Sequence, residues 1–261
     1  MEAVLVLLFA ILGLAIGSFL NVCMDRLPRG ESILRPPSCC EHCRHPLRPG
    51  DLIPLYSYLR LRGRCRYCGA AISRRSLWVE LATGVIFAFL AWRYGLSPEL
   101  GITAFYACVF IIVFVVDLEH GLILNAVVYP AIVVSLLLAL LPPAWFEPWL
   151  AFWTVPSIAN AAIAGGGAFA FFLLLAIVSR GGMGWGDVKL AGLIGVATGI
   201  PLVFVSLVIG ALAGGLVAIA LLAARRKKRR ETIPFGPFLA AGAMLTILWG
   251  NEMLALYLGT G

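Results

Sequence analysis

The chain has 261 residues, of which 61% are hydrophobic and 13% charged, with a mean hydropathy of +0.97. A soluble protein carries about 25% charged residues, so these values exclude an ordinary water-soluble domain and require a membrane protein. The apolar runs do not alternate and recur at about 20 residues, which excludes a β-barrel and leaves an all-α polytopic bundle.

The first run, Ala3 to Val22, is long enough to span. Met1-Glu2-Ala3 lacks the positive start of a cleaved signal peptide, so it is expected to be a retained helix within a first segment, residues 1–23. Residues 24–76 follow as the only sizeable polar region, rich in Arg, Pro, Gly and Cys. They hold 11 Lys+Arg against 4 Asp+Glu, which accounts for the whole formal charge of +7. Nucleic acid is the common partner of a basic patch; beside membrane spans the positive-inside rule explains the charge better, and no nucleic-acid partner is expected. A region of about 50 residues is too small for a strong core and needs a staple.

The cysteines supply one. Cys40-x-x-Cys43 and Cys65-x-x-Cys68 suit tetrahedral zinc, and a reducing compartment favours metal over disulfide. Cys39 could replace Cys40, and a redox pair or disulfide is the competing reading. His42 and His45 read as loop residues, Cys23 and Cys108 as packing.

Residues 77–261 carry seven further predicted spans. The second is Leu77 to Tyr94, with Glu80 one turn in. Pairing with an arginine and binding a charged substrate group compete for that residue. The third, Leu100 to Val116, ends at Asp117. A solvated turn, Leu118-Glu119-His120-Gly121, leads to the fourth, Leu122 to Leu141. Pro142 to Ser157 holds Trp145, Trp149 and Trp153, suited to a membrane interface. Ile158 to Val178 is the fifth. Gly199-Ile200-Pro201 should split the run from Leu190 to Ala224 into a short sixth helix and a seventh. The basic run from Arg225 to Arg230 stops the seventh, and the eighth runs from Pro234 to near Leu258.

With residues 24–76 placed in the cytosol, eight spans put 19 of the 20 Lys+Arg inside, leaving Arg93 near the outer rim. Asp117 and Asp187 then both fall at cytosolic helix ends. Two carboxylates brought together can share one proton, and one ionised with one protonated is the equipment for hydrolysing a peptide bond. The glycines before Asp187, Gly184 and Gly186 among them, allow close backbone approach. The plainer reading is that each Asp faces water or caps a helix, where a carboxylate is favoured anyway. Asn21 and Asn125 read as hydrogen-bonding groups between helices, and Gly165-Gly166-Gly167 and Gly210 to Gly215 as close-packing positions.

The chain resembles the type IV prepilin peptidases nearly end to end. The likeness rests on Gly17-Ser18-Phe19-Leu20-Asn21-Val22, on Arg26-Leu27-Pro28 and on both cysteine pairs. It continues through Ile53-Pro54, Ser57-Tyr58, Leu61-Arg62-Gly63-Arg64-Cys65 and Glu80. The Asp117 motif, Gly184-Trp185-Gly186-Asp187-Val188-Lys189-Leu190 and Pro234-Phe235-Gly236-Pro237-Phe238 complete it. The Gly-x-Gly-Asp element is also similar to that of presenilin-type intramembrane proteases. Where many members carry Ile-Pro-Asp after the first catalytic position, this chain has Leu122-Ile123-Leu124-Asn125. The resemblance implies an aspartic endopeptidase of the inner membrane with Asp117 and Asp187 as its catalytic pair. Gly184, Gly186, Lys189 and Glu80 are expected to support the site or contact substrate. Its implied substrates are prepilins of type IV pili and pseudopilins of secretion systems, whose short basic leader is cut on the cytosolic side. It also implies methylation of the new N-terminus from S-adenosylmethionine, for which residues 24–76 carry no signature of their own.

Overall fold

A computed structural model describes residues 2–141, 155–179, 182–224 and 234–259. Trp145, Trp149, Trp153, Arg180 and the Arg225–Arg230 run lie outside the described residues. Nine α-helices are present among those described: α1 (Glu2–Arg26), α2 (Tyr56–Arg60), α3 (Arg74–Tyr94), α4 (Pro98–His120), α5 (Asn125–Leu138), α6 (Ile158–Val178), α7 (Trp185–Thr198), α8 (Leu202–Ala223) and α9 (Gly236–Leu258). Six are long and apolar enough to cross a membrane: α1, α3, α4, α6, α8 and α9. The other two predicted spans are shorter, since α5 and α7 have 14 residues each. At 1.5 Å per residue each extends about 21 Å, short of a hydrocarbon core of about 30 Å. For α7 the reason lies in its surroundings. Leu190 to Thr198 are all buried, so it is a helix enclosed by protein rather than one facing lipid.

Element boundaries moved where caps outrank hydropathy. Helix α3 starts at Arg74 rather than Leu77, because the Ser73 hydroxyl accepts the Arg75 backbone N–H at 3.2 Å as an N-cap. Helix α5 starts at Asn125 rather than Leu122, because Gly121 takes φ 63° and Leu124 is extended. The split between α7 and α8 falls where expected, with Gly199 at φ 68° as the C-cap.

The chain divides into two compact units, Met1–Ile112 and Val113–Gly261. In the first, α1 and α3 pack on small residues. A Cβ on Gly13 would stand 2.7 Å from the Thr83 carbonyl, and one on Gly17 would stand 2.8 Å from Glu80 Cα. Lipid offers no hydrophobic drive between helices, so such close backbone approach is what holds the pair. Val4, Leu7, Leu8 and Ile11 are exposed, as a lipid-facing surface requires. In the second unit α6 packs on α7 through Gly165 and Gly195, and α8 on α9 through Gly210 and Gly242. Gly166 and Gly167 have open space, so of that triplet only Gly165 serves packing.

Candidate active site and metal centre

Within the first unit, the residues between α1 and α3 form two similar knuckles. In one, Cys40 N–H donates to the His45 carbonyl at 3.0 Å and Arg44 N–H to the Cys40 carbonyl at 2.8 Å. In the other, Cys65 N–H donates to Ala70 at 2.8 Å and Gly69 N–H to Cys65 at 3.0 Å. The residue after each second cysteine has positive φ, 56° at Arg44 and 71° at Gly69. Bridges Cys39 to Pro46 and Arg64 to Ala71 flank the two turns. Cys39 thus stands in the first knuckle where Arg64 stands in the second, beside the turn rather than in it. The His45 and Tyr67 rings pack against each other, centroids 3.8 Å apart and planes tilted by 39°, and join the knuckles.

The thiols of Cys40, Cys43, Cys65 and Cys68 lie within 4.8 Å of one another. Four sulfurs about 2.3 Å from one ion form a tetrahedron with edges of about 3.8 Å. Cys40 Sγ and Cys68 Sγ stand 3.8 Å apart, so the group fits zinc and is far too open for disulfides. The backbone N–H groups of Cys68 and Tyr67 aim at Cys65 and bring its thiol down to about 7. At Cys68 the Ala70 N–H also draws the thiol down, but desolvation and the neighbouring thiols outweigh it and push it up to about 11. Four sulfurs this close titrate as a group, and a bound dication relieves their repulsion.

Charged ties fasten this insert. Arg26 donates to the carbonyls of Ser32 (3.0 Å) and Pro36 (2.8 Å), Arg66 pairs with the buried Asp51 at 2.5 Å, and Arg75 pairs with Asp25 at 2.5 Å. Glu80 takes the Leu55 backbone N–H at 2.9 Å and the Ser18 hydroxyl, rather than the arginine that its position invited. Asn21 Nδ2 donates to the Ser76 carbonyl at 3.1 Å, tying α1 to α3.

The second unit holds the carboxylates. Asp117 sits in the last turn of α4 and is buried, 5% exposed. The Gly236 backbone N–H points at its carboxylate, while Oδ2 is shielded from water and has no hydrogen-bond partner of good geometry. A Cβ on Gly236 would stand 2.6 Å from that oxygen, so only glycine lets α9 begin there. Asp187 lies in the first turn of α7, not before the helix. Gly184 is the N-cap, and its N–H bonds back to the Asp187 side chain, half of a capping box. The capping reading of Asp187 therefore holds, and it orients the carboxylate. Asp187 is near enough to Asp117 to feel its charge. Lys189 Nζ bonds Asn125 Oδ1 at 2.8 Å and stands 5.6 Å from the Tyr129 ring centroid. Glu119 and His120, expected in a solvated turn, instead lie in the last helical turn of α4, 4.0 Å apart. Gly236 and Ile123 are the neighbours that sequence reasoning did not single out. The Pro234-Phe235-Gly236-Pro237 stretch was the signal for the first.

Two family models cover most of the chain. The Bacterial Peptidase A24 N-terminal domain matches residues 11–94, and the Type IV leader peptidase family matches residues 104–219. The chain belongs to the type IV leader peptidase family. A protein of Bacillus subtilis named prepilin leader peptidase/N-methyltransferase is 32% identical over 95% of this chain and 96% of its own length. One of the same name from Pseudomonas aeruginosa is 30% identical over 97% of this chain and 93% of its own. Another, from Aeromonas hydrophila, is 32% identical over 97% and 93%. No solved structure matches the chain. The two family models divide the chain much as its two compact units do: the first lies wholly in Met1–Ile112, and the second lies mostly in Val113–Gly261.

Proposed function

We propose that this membrane protein is an endopeptidase that removes the basic leader of type IV prepilins or pseudopilins, with Asp117 and Asp187 as its catalytic carboxylates. The observation that carries this is that a second carboxylate, from the start of α7, lies within electrostatic reach of a buried, underbonded one at the end of α4. One carboxylate, ionised, takes a proton from a water as its oxygen adds to the scissile carbonyl carbon. The other, protonated, donates a hydrogen bond to the carbonyl oxygen. Collapse of the tetrahedral adduct breaks the C–N bond and expels the amine, which takes the proton that the first carboxylate drew from the water, returning the pair to its starting state. Gly184 fixes Asp187 through its N–H, and Gly186 and Lys189 hold the surrounding chain. Glu80 anchors the insert to α3.

The insert, residues 24–76, is read as a zinc-stapled cytosolic domain, and the carboxylates as lying on the same side, from the distribution of basic residues. The relatives' name supports a second step, methylation of the freed amine, with S-adenosylmethionine as the methyl donor.

The test is incubation of the purified protein with a prepilin in detergent, read as appearance of the shortened product. Asp117→Asn and Asp187→Asn should each lower kcat by about 10²–10⁴-fold or more while leaving the thermal transition in place. Substantial cleavage by either variant refutes the pair. Ion flux without proteolysis would make the carboxylates a proton path instead.

A further inference from the structure

On the side of the insert, the contact between α1 and α3 is polar. Ser18 and Asn21 lie one turn apart on α1, and Ser76 and Glu80 one turn apart on α3. Two rungs join them. Asn21 Nδ2 donates to the Ser76 carbonyl at 3.1 Å, and the Ser18 hydroxyl donates to Glu80. Gly17 lets the backbones approach, since a Cβ there would stand 2.8 Å from Glu80 Cα. Each rung has an acceptor to spare. Asn21 is 6% exposed, and its Oδ1 is shielded from water with no hydrogen-bond partner. Glu80 has about four lone-pair positions and spends two, on the Leu55 N–H and the Ser18 hydroxyl. Among the described residues no lysine or arginine pairs with it. The Leu55 N–H is itself fixed: Leu55 is held at φ 58° and ψ −51°, in a strained γ-turn closed by the Tyr56 N–H on the Pro54 carbonyl at 2.5 Å.

We propose that Glu80 and Asn21 form a binding site for a primary ammonium, the N-terminus freed by cleavage, and hold it for methylation. This rests on the reading of the protein as a methyltransferase as well as a peptidase. Residues one helical turn apart are separated by about 5–6 Å. One ammonium, with bonds of about 2.8 Å to either side, closes that gap. Two acceptors with no donor between them suit a cation that only donates, and a new N-terminus is one. Methyl transfer also needs the nitrogen lone pair. The ammonium gives one proton to the Glu80 carboxylate, and the freed lone pair attacks the methyl carbon of the sulfonium donor. The C–S bond breaks with its electrons staying on sulfur. The nitrogen leaves as a methylammonium, and the proton on Glu80 passes to water.

The experiment uses the full-length purified protein with a prepilin and S-adenosylmethionine labelled in its methyl group, reading cleavage and methyl transfer from the same reaction. Glu80→Gln keeps the shape and an oxygen for the Leu55 N–H but removes the charge and the base. Methyl transfer relative to cleavage should fall about 10²–10⁴-fold. Asn21→Leu should lower the same ratio about tenfold or more. Asn21→Asp retains an acceptor for the amine while losing the donor to Ser76, so it should stay nearer the wild type than Asn21→Leu; a merely structural Asn21 would make the two alike. A ratio of two activities in one preparation is unaffected by the fraction that folds. Should the Asn21 variants fail to fold altogether, Glu80→Gln still has to move the ratio. Binding gives a readout free of turnover: a peptide of the mature N-terminal segment should bind more tightly with a free amine than N-acetylated, and Glu80→Gln should erase the difference. Methyl transfer that keeps pace with cleavage in Glu80→Gln, or equal binding of the two peptides by the wild type, overturns the site. A wild type that cleaves but transfers no methyl group refutes the methyltransferase reading, and the binding comparison then decides the amine site by itself.

Discussion

Gly236 shows how much can depend on one missing methyl group. Its backbone lies so close to Asp117 that a Cβ would stand 2.6 Å from Oδ2. Gly236→Ala therefore has to displace the carboxylate or the start of α9. Because misplacement by about 1 Å costs on the order of 10²-fold in rate, kcat/KM for prepilin should fall by about that factor while bound zinc stays constant. An unchanged kcat/KM would mean that the carboxylate is not held where this contact puts it. Position 236 was legible in the sequence as part of a Pro-Phe-Gly-Pro-Phe run, but its task was not. A glycine that opens a span and one that admits a carboxylate look alike until a second chain segment is brought against them. The same holds for Asp187. Its place near a helix start was readable, whereas its proximity to Asp117 depends on a helix from 70 residues earlier.

Among the elements, α1 and α3 form the tightest pairing of the first unit, and glycine makes it so. At Gly13 a Cβ would meet the Thr83 carbonyl and Phe87 Cβ, both at 2.7 Å, and neither is the free end of a flexible chain. Gly13→Ala should force the helices apart and destabilise the protein by about 1–3 kcal/mol, seen as a lower Tm in detergent. Gly101→Ala in α4 is the control. Nothing lies within 4 Å of its added methyl, so helix propensity alone acts and stability should rise by up to about 1 kcal/mol. Equal effects at the two sites would remove close packing as the explanation. The same elements show why span boundaries were only partly readable. Hydropathy places a helix within the membrane, but Ser73, Gly121 and Gly184 decide where each begins, and their caps are backbone geometry.

At the scale of the whole molecule, the insert between α1 and α3 depends on its four thiols and a few ion pairs, having little apolar core of its own. Chelation, or Cys65→Ser with Cys68→Ser, should abolish bound zinc and make residues 24–76 susceptible to protease, while helicity by circular dichroism stays near the wild-type value. Protein isolated without zinc, yet protease-resistant over the same residues, would disprove the staple. Within the first unit the Glu80–Leu55 bond ties the insert to α3.

Read alone, the sequence determined the membrane class, the all-helical fold, the zinc-type cysteine spacing and the family. Each of these is a matter of composition or of local spacing, and needs no knowledge of which helices meet. Tertiary structure decided that Cys40 rather than Cys39 joins the thiol group, because the two knuckles repeat one hydrogen-bond pattern. It also decided that α5 and α7 are short, that Glu80 holds Leu55, and that Ile123 and Gly236 border the carboxylates. Those outcomes come from contacts between residues distant in the chain, where close packing and buried hydrogen bonds are settled only when the helices come together.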